Sequence, residues 1–164
     1  MATLALGIVE NILIGGKTVS ILSKVGTDIV IGTLATSTGA VGGMLTNIYS
    51  SDKPGLKEIK SQLDKIDLEH IVGVIRALIN EQSIKKNTEM KDSVKKALIG
   101  VNEILVKIND ELNEIHNAIN KHNGKYFSSW RSFDCKCNIN QIKEYRDLLD
   151  KRYKMYVELL NIYH

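Results

Sequence analysis

The sequence is short of the residues that mark most specialised classes. One proline in 164 residues excludes a Pro-rich linker, and two cysteines exclude a disulfide scaffold. Aromatics are scarce: one tryptophan, two phenylalanines and six tyrosines. A net charge of +3 is too small to make nucleic acid the main partner. With 43% hydrophobic and 25% charged residues, the chain is not a disordered tail, a collagen-like fibre or a polytopic membrane protein. No internal repeat appears at solenoid periods. The length suits a single domain with its own core, residues 1–164.

Chemistry-bearing motifs are also missing. Gly15-Gly16-Lys17-Thr18 resembles the end of a phosphate-binding loop, but Asn11 stands where that loop needs glycine. Gly39 to Gly43 lacks the strand–turn–helix setting of a dinucleotide site. Cys135-x-Cys137, with His116 and His122, is a poor zinc set: the cysteine spacing is too tight, and the histidines face different ways on a helix. His70, His116, His122 and His164 have no Ser, Asp or Glu partner at a mechanistic spacing. The expectation is therefore a protein that is not an enzyme, with no cofactor, metal or small-molecule substrate.

What remains is unevenly distributed. Residues 1–51 hold only four charges, Glu10, Lys17, Lys24 and Asp28, and eight of the 12 glycines. Residues 52–164 hold all the other charges and every aromatic except Tyr49. Ile29 to Tyr49 carries no charge, a length that can cross a bilayer core of about 30 Å as a helix. Thr, Ser, Gly and Asn dilute its apolarity. The main expectation is a helical hairpin, 3–24 and 28–49, buried among the C-terminal helices. Membrane insertion and strands, the latter from Ile29-Val30-Ile31, are the alternatives. Gly32, Gly39 and Gly43 are the candidate residues for membrane contact or self-association, because small residues let helices approach closely.

Downstream, Val94, Leu98, Val101, Leu105, Ile108, Leu112, Ile115 and Ile119 alternate spacings of four and three. This heptad pattern predicts a long helix near 88–122, started by Asp92, Thr88 or Ser83 and ended by Asn123-Gly124. Asn138 and Gln141 read as a capping pair opening a helix over 139–162, with Ile142, Tyr145, Leu149, Tyr156, Leu159, Leu160 and Tyr163 on its apolar face. Upstream, Leu56, Ile59, Leu63 and Ile66 lead into Ile71, Val72, Ile75, Leu78 and Ile79, with Asp67 expected to divide the run as an N-cap. The fold expected is all-α: about five helices in an antiparallel bundle, one long and central, with an apolar Gly-rich N-terminal hairpin.

Two surface features stand out. Tyr126, Phe127, Trp130, Arg131 and Phe133 crowd one loop, either as a plug on the bundle or as a partner-binding patch. Lys85, Lys86, Lys91, Lys95 and Lys96 form a basic cluster suited to an anionic membrane surface. The order of parts is similar to that of cell-death executioner bundles of the HeLo and mixed-lineage-kinase-like type, in general layout alone. The resemblance implies membrane engagement or self-assembly and carries over no residues. The other class is a soluble structural or adaptor protein, such as a minor virion or assembly component, making contacts through the bundle and the aromatic loop. No basic n-region precedes Leu4, and Ala2 replaces the glycine that myristoylation needs, so the expected location is intracellular, with membrane association as an option.

Overall fold

The structure is a computed structural model and describes residues 26–52, 56–84, 90–123 and 135–163. They form five helices: α1 Thr27–Ser50, α2 Leu56–Ile66, α3 Leu68–Ile84, α4 Asp92–Asn123 and α5 Lys136–Tyr163. No strand occurs among the described residues. The all-α expectation holds, and Ile29-Val30-Ile31 lies in α1. The β-branched run yields to the longer period: Val30, Leu34, Thr38, Val41, Leu45 and Ile48 are buried at spacings of three and four. The first arm of the expected hairpin, 3–24, and Gly15-Gly16-Lys17-Thr18 lie outside the described residues.

α4 is the central element. Its heptad residues Val94 to Ile119 are each 4% exposed or less, and Ala97 and Ile104 widen the buried stripe on one side. α4 contacts both α1 and α5; α1 also packs on α3, and α2 touches α5. The stripe is broad because α4 must face two neighbours at once. Its start is set by the Lys91 carbonyl, which accepts the Lys95 N–H at 3.0 Å. Asp92 is thus the first helical residue, and Ser83 belongs to α3.

Two local expectations are corrected. Asp67 does separate α2 from α3, but not as an N-cap. It takes a left-handed conformation, φ 54°, and its N–H bonds the Asp64 carbonyl at 3.1 Å. That geometry closes a helix, and a short polar side chain tolerates it. Nor do Asn138 and Gln141 form a capping pair. α5 begins earlier, at Lys136, with the Cys135 carbonyl accepting the Ile139 N–H. Asn138 instead donates across to Glu111 of α4 at 2.8 Å, and Gln141 donates to Glu144.

The α4–α5 contact is antiparallel: Asn138 near the start of α5 meets Glu111, and Tyr163 near its end accepts a bond from Ser93. Between them, Arg152 donates to the Gly100 carbonyl at 2.7 Å and to Glu103 at 2.8 Å. A Cβ on Gly100 would sit 3.0 Å from the Arg152 Nη1, so glycine is what admits the guanidinium to this backbone. The Lys107 ammonium lies 5.6 Å from the centre of the Tyr145 ring. Ile139, Ile142, Leu149 and Tyr156 are buried beneath these contacts. Tyr163 is half exposed at 51% and does not join that face.

Tyr156 is fully buried, yet its hydroxyl has no hydrogen-bond partner among the described residues. Burial, then the neighbouring Tyr153, pushes its pKa up to about 12. Because the folded value lies above the ordinary value of about 10, its contribution is fully present below pH 10 and is lost as pH rises toward 12. Tyr156→Phe removes an unsatisfied group, so stability at neutral pH is expected to hold or rise by up to about 1 kcal/mol. The alkaline loss above pH ~10 should become shallower. Urea unfolding at neutral and alkaline pH checks both.

Candidate interaction face

α1 has two faces of different character. One carries the buried residues and packs against α3 and α4. On the opposite side, Gly32, Gly39, Gly43 and Ser50 fall within an arc of roughly 40°, taking 100° per residue. Ala35, Thr36 and Thr46 border it, and all seven are exposed. A Cβ built at Gly32, Gly39 or Gly43 meets nothing within 4 Å. The three glycines are therefore not used for close packing among the described residues. Of the 24 residues of α1, six are buried and 11 are exposed, so one side is core and the other is not covered by the described residues; the arm expected to pair with it, 3–24, lies outside them.

The open face has little that binds water strongly. Asp28 is the sole charge in α1. Thr36 donates to the Gly32 carbonyl and Thr46 to the Gly42 carbonyl, both at 2.9 Å. These hydroxyls bond their own helix, and buried Thr38 does the same with Leu34 at 2.7 Å. Ile29, 55% exposed, adds a large apolar side chain at one end of the helix.

The ends of α1 are held. Asp28 sits in the first turn, where a negative charge suits the helix dipole. At the other end, Lys60 of α2 donates to the carbonyls of Tyr49 and Ser51, both at 2.8 Å. Tyr49 donates to Asp64 at 2.7 Å. Burial first, then that bond and the Asp64 charge, raises the Tyr49 pKa well above its ordinary value. Lys60→Ala is expected to lower stability by about 1–2 kcal/mol, since it strips two carbonyls of a charged donor. Thermal unfolding checks this.

Gly42 was not singled out by sequence, yet it is the α1 glycine that an internal contact explains. A Cβ there would stand 2.6 Å from the Arg76 guanidinium of α3. No sequence signal links these two residues. Of the basic cluster, Lys91 and Lys96 are exposed, but Lys95 is 5% exposed, with its ammonium 3.7 Å from Asp92. Lys95 is therefore a buried stem and not part of a basic surface. Lys85 and Lys86 lie outside the described residues, as do Tyr126, Phe127, Trp130, Arg131 and Phe133. Cys135 is buried and Cys137 exposed, and no group of three His, Cys, Asp or Glu among the described residues is placed to hold a metal ion.

The geometry defines a helical bundle with one uncharged, small-residue helix face left uncovered among the described residues. No family model matches the chain, and no solved structure matches it. The chain is similar to Uncharacterized protein L717 of Acanthamoeba polyphaga mimivirus, 34% identical over 71 residues. The match covers 43% of this chain and 34% of that protein, so about a third of the relative's length is spanned.

Proposed function

We propose that this is a non-enzymatic bundle that works by close helix–helix association through the outer face of α1, in self-assembly. One observation carries the reading. Three glycines stand in the middle of a helix, each costing roughly 0.5–1 kcal/mol relative to alanine, and no described neighbour requires them. A stripe of glycines becomes useful when another backbone approaches it, through van der Waals contact and Cα–H···O bonds.

A second reading, membrane engagement, rests on a separate observation. α1 is 24 residues long, and its most apolar window has a mean hydropathy of 1.4 with 28% buried. By length and composition it can cross a membrane. The inner face opposes this, because insertion removes Val30, Leu34, Val41, Leu45 and Ile48 from the core. Self-association uses the face already open and leaves the core intact. The similarity to a mimivirus protein fits a viral source and supports no particular role as a virion component.

The test is sedimentation velocity of the full chain, paired with flotation on anionic vesicles. Self-assembly through α1 predicts a concentration-dependent oligomer without lipid that Gly39→Leu/Gly43→Leu weakens. A monomer that floats only with vesicles supports the membrane reading, and a monomer that does not float rules out both.

A further inference from the structure

A second surface lies on α5 and has nothing to do with glycine. Four large apolar side chains are exposed there: Leu148 at 37%, Met155 at 47%, Ile162 at 71% and Tyr163 at 51%. Leu148, Met155 and Ile162 are seven residues apart. Half-buried Tyr145, Arg152 and Leu159 fill the gaps, giving a line at intervals of three and four. That is a heptad seam, about 26 Å long at helical rise. It is offset from the line that serves the bundle: Ile142, Leu149 and Tyr156 lie roughly 90–100° around the helix, while Tyr145 and Leu159 border both, being partly buried against the core. Arg152 does not spoil the seam. Its guanidinium is held on Gly100 and Glu103 of α4, which leaves the methylene stem to line the surface.

The charges beside the seam indicate what covers it. On its outer edge stand Glu144, Lys151 and Glu158, all exposed and one heptad apart. We infer that the seam binds a second copy of this chain, with the two α5 helices antiparallel. In the register that sets Leu148 on the partner's Leu159 and Tyr145 on the partner's Ile162, Lys151 falls opposite the partner's Glu158. The two-fold axis repeats that pair, so Lys151 and Glu158 of each copy are both matched. A parallel pair sets Lys151 beside the partner's Tyr156, and neither charge is matched. The alternating signs along one edge therefore select the antiparallel homodimer.

The test is sedimentation equilibrium of the full chain at about 0.1 mM, where a dimer is expected. Lys151→Glu and Glu158→Lys should each weaken dimerisation about tenfold, by opposing like charges. The double variant restores the pair with signs exchanged, and its dimerisation constant should return to within about threefold of the parent. In the Gly39→Leu/Gly43→Leu background, where association through α1 is blocked, Met155→Glu should convert the dimer to a monomer whose helical circular dichroism matches the parent. A monomeric parent, indifference to Met155→Glu, or losses that add in the double variant would each overturn the inference. None of these positions lies on the α1 face, and the background blocked at Gly39 and Gly43 keeps this result distinct from that of the α1 reading.

Discussion

Replacing both Gly39 and Gly43 by leucine is expected to abolish association through α1 while leaving the bundle folded. A Cβ at either site meets nothing within 4 Å among the described residues, so the backbone there admits a side chain without a clash at its root. Leucine is the better helix former by about 0.8–1 kcal/mol per site, so the melting temperature should hold or rise. Association should behave oppositely. Two leucines hold a second backbone several ångströms further off, and short-range contacts between helices vanish at that distance. The association constant should fall at least about tenfold. Under the membrane reading the same variant moves the other way, since two leucines strengthen partition into a bilayer. Sedimentation with and without vesicles therefore separates the two readings in one protein. Unchanged association and unchanged flotation would remove α1 from both.

The largest effect on stability is expected in the middle of α4. Ile108→Ala should cost about 2–5 kcal/mol, measured as a shift in urea midpoint at constant slope. Ile108 is 0% exposed and lies between helices that converge from two sides, so the cavity cannot close by a small shift of one neighbour. A typical domain of this kind has about 5–15 kcal/mol to lose, so the variant sits near the edge of folding. Its unfolding should remain a single transition if α1 and α5 depend on α4 together. A loss below ~1 kcal/mol would show that α4 is not the hub of the core.

Much of this architecture was legible in the sequence. The expected helix 28–49 matches α1 Thr27–Ser50, and the eight heptad residues of α4 are all buried, because apolar spacing reports burial directly. Asp67 was located, although its left-handed backbone could not be told from an N-cap by residue type. The failures have a common cause. Asn138 and Gln141 carry the right residues for a cap, but Asn138 is drawn to Glu111, twenty-seven positions away in the chain. Lys60 on the end of α1, Arg76 over Gly42 and Arg152 on Gly100 are likewise meetings between helices. Periodicity within one helix carries no information about them.

The candidate face was legible only in part. Gly32, Gly39 and Gly43 were identified by spacing, but not the side on which they lie. That depends on which residues α3 and α4 select, and Gly42, adjacent to Gly43, falls to the inner contact with Arg76. Lys95 shows the same limit: a lysine in a basic run turns inward because its position follows Val94 around the buried stripe.

The most direct measurement is disulfide cross-linking at the α1 face. In a background with Cys135 and Cys137 replaced by serine, Gly39→Cys places one thiol at the centre of the proposed contact. The account predicts rapid oxidation to a covalent dimer, much faster than for Lys57→Cys, an exposed position on α2. Equal, slow cross-linking at both positions, with and without vesicles, would contradict it.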